Sequence, residues 1–376
     1  MRILLAPDGF KGSLSAAEVA TALAEGLADG PGPEHRLTLL PLADGGDGSV
    51  ETAIAAGWSR RTARARDARG DHHEAPYAVS PDASTAVIEV AATCGLAALH
   101  GDLAPLTAST RGVGEVLLAA REGGARRIVL ALGGSASTDG GTGILAALGV
   151  RFLDEDGREV PDGAKGLPRI RRVDATGLAE WEGVELIAAT DVQSPLTGVG
   201  GAAEVFGPQK GLGPLDVERT DAALAALPVL LAQAGFDDPA TAATIPGAGA
   251  AGGAGFACLM LGARIVSGAD FFLDLVGFDA LAADHDLVVT GEGSLDAQTA
   301  AGKLVQVVAR RSGATPVVAV VGRSTLGPRD ARALGLADVI ALADRTSADS
   351  SRDPELTRRL LRAIGRDLSA RPDPPR

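Results

Sequence analysis

What most constrains the fold of this chain is the alternation of apolar runs, glycine-rich loops and helical segments at its two ends. Residues 2–6, RILLA, read as a short strand that stops at Pro7, followed by the loop Asp8-Gly9-Phe10-Lys11-Gly12-Ser13. Ser15 and Glu18 have capping-box spacing, so a helix is expected over roughly Ala16 to Ala28. A second unit follows, with a strand from Arg36 to Pro41, the loop LADGGDGS and a helix from about Val50 to Ala56. The same grammar returns near the other end: strand Asp286 to Thr290, loop GEGSLDAQTAAGK, a helix through Arg311, strand Pro316 to Val321, a helix near 328–333, strand Asp338 to Leu342 and a terminal helix from about Pro354. Strands alternating with helices imply an α/β protein with parallel sheet, and such sheets bind ligands at the carboxyl ends of their strands.

The middle of the chain is richer in glycine. Strand Arg127 to Leu132 runs into GGSASTDGGTG, where backbone amides and hydroxyls could form an anion nest around Gly134 and Ser135. A related pattern, GAGAAGGAG, places Gly252 and Gly253 directly before a short apolar helix. Close packing of backbones is the alternative use of both loops. GAGAAGG contains a literal GxGxxG, Gly247 to Gly252, with Asp270 where a ribose-binding acid would be sought, but DDPATAATIP precedes it instead of the strand that a dinucleotide fingerprint needs. GVELIAA reads as a buried strand that delivers Asp191 to its carboxyl edge, opening a long glycine-punctuated loop through Gly213. Helices are expected over 216–234 and 270–283, and SPDAST is a reasonable domain boundary. ARDARGDHHEAP reads as a hairpin or an exposed loop, with His72 and His73 on the surface because adjacent residues share a site poorly.

Composition removes several classes. The 376 residues are 46% hydrophobic with a net charge of −13, which fits a folded two-domain chain and argues against a nucleic-acid partner or attraction to anionic membranes. Cys94 and Cys258 lie far apart in apolar surroundings and read as core thiols. The first apolar run breaks at Pro7, too soon for a signal peptide, so a cytoplasmic protein is expected; a homodimer is compatible with all of this. Nearly every base is arginine, and each of the four lysines, Lys11, Lys165, Lys210 and Lys303, adjoins a glycine. A compact ammonium beside a flexible backbone suits contact with phosphate. Lys11 and Ser13 would lie near a helix N-terminus, which favours anions. Asp44 and Asp47 offer oxygen ligands for magnesium or a substrate hydroxyl, with an Asx turn as the plain alternative. Glu292, Asp296 and Lys303 gather at one strand end in a pattern suited to a metal-bridged phosphate, although GKLV is not a Walker A sequence.

The stretches APDGFKGSLSA, PLADGGDG, GGSASTDGGTG, TDVQSPLTG with FGPQKG, GAGAAGG and VVTGEGSLDAQT resemble the bacterial type I glycerate kinases, in that family's order, over about residues 1–325. The resemblance implies two α/β domains with the active site in their cleft: a discontinuous Rossmann-like domain from 1–82 and 285–376, and an inserted domain over 83–284. It also implies phosphorylation of D-glycerate by ATP with Mg2+, with 2-phosphoglycerate expected over the 3-phosphate. By residue type, Asp191 would orient or deprotonate the glycerate hydroxyl, and Lys11, Lys210 and Lys303 would neutralise phosphate or carboxylate oxygens. Asp44, Glu292 and Asp296 would serve magnesium and substrate hydroxyls, and Asp8, Ser13, Gly134, Ser135, Gly252 and Gly253 would complete the substrate and phosphate contacts. The chain departs from the family pattern at Gly9, Thr138, Ser194 and Ser294. Ser294 stands where GEGRxD has arginine, so that arginine is dispensable, is replaced by another such as Arg323, or the substrate is a related hydroxy acid. A dinucleotide-dependent oxidoreductase and a non-catalytic hydroxy-acid sensor are the other classes left open.

Overall fold

A computed structural model describes residues 1–179, 181, 183–296 and 304–370. In chain order its strands are β1 (Arg2–Pro7), β2 (Arg36–Leu39), β3 (Ser59–Arg66), β4 (His72–Val79), β5 (Thr85–Glu89), β6 (Arg127–Ala131), β7 (Arg151–Leu153), β8 (Arg172–Asp174), β9 (Glu185–Ala189), β10 (Arg264–Val266), β11 (Leu287–Leu295), β12 (Val317–Ser324) and β13 (Asp338–Ala341). The chain divides into two compact units. Unit 1 holds residues 1–44, 51–56 and 269–376, and unit 2 holds 45–50 and 57–268.

Unit 1 is built on a five-stranded sheet in the order β13-β12-β11-β1-β2, with every neighbouring pair parallel. Counted within the unit, this is the doubly wound order 2-1-3-4-5, and its direction of winding reverses between β1 and β11, which is the switch point where such sheets bind ligands. Alternation along the strands fills two cores. Ile3, Leu5, Val289, Val318 and Val320 face one side with Leu23, Leu361 and Ile364 from helices Ala16–Ala28 and Pro354–Ser369. Leu4, Ala6, Val288, Ala319 and Val321 face the other, with Phe278, Val305 and Val308. Burial on both faces is what near-continuous apolar strands require. The capping box of the first helix forms as expected, with the Ser15 hydroxyl accepting from Glu18 N–H and the Glu18 carboxylate accepting from Ser15 N–H.

Unit 2 carries a six-stranded sheet, β10-β9-β6-β5-β4-β3, parallel through β5 and then antiparallel through the β4–β3 hairpin, plus the small β7–β8 ribbon. ARDARGDHHEAP is therefore a hairpin, with Arg66 opposite His72; His72 is exposed and His73 half-buried on the opposite face. Arg60, Arg61 and Arg64 line the exposed edge strand, a charge pattern that discourages further pairing.

The unit boundaries differ from the expected 82/83 and 284/285. SPDAST is a turn, not a linker: Asp82 accepts from the Ser80 and Ser84 hydroxyls, and Val79 pairs with Ala86 across it. The hairpin thereby joins the inserted unit. At the other boundary Ala269, Leu273, Phe278 and Ala282 pack into the unit 1 core, so the chain passes between units at Gly268. The expected helix over 270–283 is two helices, Gly268–Leu275 and Phe278–Ala283, separated at Gly277 with φ +65°.

Candidate active site

In unit 1 the polar groups collect at the switch point. Asp8 follows β1 directly, and its N–H donates to the Gly291 carbonyl of β11, one residue before Glu292. Asp8 and Glu292 are both buried. Burial first, and then the charge of Asp44, hold Asp8 well above the usual carboxylate range; Lys11 and the Gly9 N–H oppose this and Glu292 adds to it. The fold thus brings Asp8, Lys11, Asp44 and Glu292 into one electrostatic neighbourhood, although 284 residues separate Asp8 from Glu292 in the chain.

β11 continues through Leu295, so Glu292 lies inside the strand and Asp296 directly follows its end. The charges of Glu292 and Asp44 both act on Asp8. No group of three or more His, Cys, Asp or Glu among the described residues forms a ready metal cage. A buried carboxylate with two more carboxylates acting on it nevertheless fits Mg2+, which keeps several waters and takes one or two carboxylates with substrate phosphates. Ser13 is tied to the terminal helix, its hydroxyl donating to Thr357 Oγ1 at 3.0 Å. Lys303 lies outside the described residues. Ser294 pairs with Arg323 across β11 and β12, and Arg323 Nε donates to Ser294 Oγ at 3.1 Å.

In unit 2 the parallel strands also deliver polar groups to their carboxyl ends, but these are engaged by the fold. Asp191 stands two residues past β9 and is half-buried; its Oδ1 accepts from Gly268 N–H at 3.0 Å. The neighbouring β6 exits into Gly133, Gly134 and Ser135. Gly134 has φ +74°, and a Cβ there would fall 1.8 Å from Asp47 Oδ1, so this glycine makes room for a carboxylate. Glu89, which the sequence reading missed, ends β5 and accepts from Gly48 and Val50 N–H at 2.8 and 2.9 Å. A carboxylate therefore already occupies the start of helix Ser49–Ala55. The only sequence signal for this is an acid at a strand's carboxyl end.

GGSASTDGGTG is a braced loop. Asp139 is fully buried and accepts from Thr110 N–H, Thr110 Oγ1 and Gly141 N–H, while Gly133 donates to Gly45 and Ala136 to Cys94. Gly252 and Gly253 lie where backbones pass closely: a Cβ on Gly252 would meet Ser137 O at 2.0 Å, and one on Gly253 would meet Gly140 Cα at 2.5 Å. The two glycine loops pack against each other, with Gly140 N–H donating to Gly252 O. GAGAAGG is a short helical turn with left-handed residues at Ala251, Gly252 and Gly253, and Asp270 pairs with Arg310, so nothing of the dinucleotide fingerprint remains.

Lys210 departs furthest from expectation. Chain 202–210, expected as open loop, forms helix Ala202–Phe206 and the 3-10 turn Pro208–Lys210, because Ala202 and Ala203 bury and Pro208 starts the turn. Lys210 is only 3% exposed, and its Nζ donates to Ser135 Oγ at 2.9 Å and to Ser137 O at 2.6 Å. Burial lowers its pKa to about 8, against the opposing influence of Cys94 and Asp139. Both cysteines are buried thiols, as expected, with burial pushing Cys94 up to about 11 and Cys258 up to about 12. No helix among the described residues is long and apolar enough to cross a membrane.

Parallel α/β units with acids, ammonium groups and hydroxyls at their carboxyl edges define a class of protein that handles small anionic ligands. Comparison with known proteins narrows the class. The family model described as the glycerate kinase family matches residues 3–368. The chain is 40% identical over 332 residues to a Bacillus subtilis protein named glycerate kinase, covering 86% of this chain and 85% of that one. It is 37% identical over 331 residues to an Escherichia coli glycerate 2-kinase, covering 86% of each. A crystal structure assigned to glycerate kinase 2 from Salmonella typhimurium LT2 matches with a TM-score of 0.78 at 36% identity, covering 98% of this chain and 97% of that one. The chain belongs to the glycerate kinase family and is an enzyme, a phosphotransferase with an alcohol acceptor.

Proposed function

We propose that this enzyme transfers the γ-phosphoryl group of ATP to D-glycerate and forms 2-phosphoglycerate, with Mg2+ required. The observation that carries the reading is the gathering of Asp8, Lys11, Asp44 and Glu292 at the reversal between β1 and β11. Phosphoryl transfer asks a protein mainly for positioning and charge neutralisation, and this cluster offers oxygen ligands beside one ammonium. Glu292, with Asp8 and Asp44, would hold the metal, which when bound neutralises phosphate charge. Lys11 acts on phosphate oxygens. Asp191 takes the proton of the glycerate hydroxyl while that oxygen forms the new bond to phosphorus, the bond to the bridging oxygen of ATP breaks, and ADP leaves. The hydrogen bond from Gly268 supports this role, since it orients the carboxylate. Arg323 supplies the guanidinium that Ser294 lacks and binds an anionic oxygen of the substrate. The relatives named for glycerate and glycerate 2-kinase activity support both the acceptor and the position of the product.

The test is ADP release from ATP. It should depend on added D-glycerate, stop when magnesium is chelated and return when magnesium is restored. ADP release that ignores glycerate would contradict the reading.

A further inference from the structure

The bonding of Ser135 has a directional consequence. An ammonium group only donates hydrogen bonds, so the Lys210 contact at 2.9 Å makes Ser135 Oγ the acceptor and leaves the serine hydrogen to be given elsewhere. Among the described residues no protein acceptor takes it. Ser135 follows β6 at the carboxyl edge of the unit 2 sheet, on the strand next to the one that delivers Asp191, and it keeps 6% of its surface exposed. We propose that Lys210 is a positioning residue that turns the Ser135 hydroxyl outward, so that Ser135 donates a hydrogen bond to an anionic oxygen of the bound substrate. This rests on the function proposed above and adds to it a specificity contact and the residue that orients it.

Three features of the surroundings support a fixed direction. Lys210 is held from two sides, by Ser135 Oγ and by Ser137 O. The groups that face it are the Cys94 thiol, pushed up to about 11 by burial, and Asp139, which is clasped by Thr110 and Gly141. Cys94 thus stays neutral near pH 8, leaving the lysine as the group that titrates there, at about 8. Below that pH the ammonium can only donate and Ser135 points outward. Above it the neutral amine gains a lone pair, can accept the serine proton, and the outward donor is lost. The contribution of Ser135 is therefore present at lower pH and fades as pH rises through the lysine pKa.

The experiment measures glycerate-dependent ADP release between about pH 6.5 and pH 9.5 for the wild type, Ser135→Ala, Ser135→Thr and Lys210→Met. Ser135→Ala should lower kcat/KM roughly 10- to 100-fold at neutral pH, and its remaining activity should lack the decline that the wild type shows as pH rises through about 8. Ser135→Thr, which keeps a hydroxyl, should restore both rate and decline. Loss in KM for glycerate identifies the partner as the acceptor carboxylate, and loss in kcat identifies it as the transferring phosphoryl group. Lys210→Met should resemble Ser135→Ala, and the double variant should be little worse than either single one, because the lysine acts through the serine. If Lys210→Met does not fold, the pH profile of Ser135→Ala decides alone. A wild-type rate in Ser135→Ala, or the same decline with pH, would overturn the proposal. Glycerate-dependent turnover in the wild type separates that failure from failure of the parent function, since a wild type without such turnover would overturn both.

Discussion

The parallel strands of the two main sheets of this enzyme use their carboxyl edges differently. In unit 1 the winding reverses between β1 and β11, and burial there, together with the charges of carboxylates from distant parts of the chain, raises the proton affinity of Asp8. In unit 2 the order β10-β9-β6-β5-β4-β3 has no reversal, and the edge groups are fixed by hydrogen bonds: Asp191 by Gly268, Glu89 by Gly48 and Val50, Asp139 by Thr110, Lys210 by Ser135 and Ser137. A switch point concentrates like charge that a bound cation can relieve. An edge without one serves instead to hold single groups in fixed directions. Phosphoryl transfer needs both properties, charge neutralisation and an oriented base.

The largest effect should come from unit 2. Asp191→Asn preserves shape and the Gly268 hydrogen bond but cannot take a proton, so kcat should fall about 10²- to 10⁴-fold with thermal stability little changed. Near-normal turnover would mean that the oriented carboxylate is not the base, and the contrast between the edges would lose its functional meaning. Next is the bracing behind that edge. Gly252→Ala places a methyl group 2.0 Å from Ser137 O at φ +67°, and should cost about 2–3 kcal/mol in denaturant unfolding. An unchanged midpoint would show that the loops do not interlock as described. Smaller still, Arg323→Ala in unit 1 should raise the KM for glycerate or ATP by about 10-fold, as loss of one charged hydrogen-bonding group does, while leaving stability within about 0.5 kcal/mol, as for other exposed residues.

Much of unit 1 was legible in the sequence because its signals are local. Ser15 and Glu18 announced helix Ala16–Ala28, and RILLA and the apolar run before Thr290 announced β1 and β11. GVELIAA likewise located β9 and so the position of Asp191 at its end. What was not legible depends on long-range packing. No local pattern says that the glycines of GAGAAGG fill against residues 137–140, or that FGPQKG folds inward and buries Lys210, because a lysine beside glycine looks the same whether it faces solvent or a serine loop. SPDAST has the composition of a linker, and only the pairing of Val79 with Ala86 makes it a turn. Topology places Glu292 of β11 in the electrostatic neighbourhood of Asp8 after β1, which no local pattern announces.

Phosphorus NMR of the enzyme with ATP, magnesium and D-glycerate tests the central claim most directly, because it reports the transfer and the position of the product together. The account predicts a new phosphomonoester signal, split into a doublet by the single proton on carbon 2, growing as ADP appears. A triplet from the two protons on carbon 3 would contradict the 2-phosphate assignment, and no new phosphomonoester signal would contradict the proposed reaction itself.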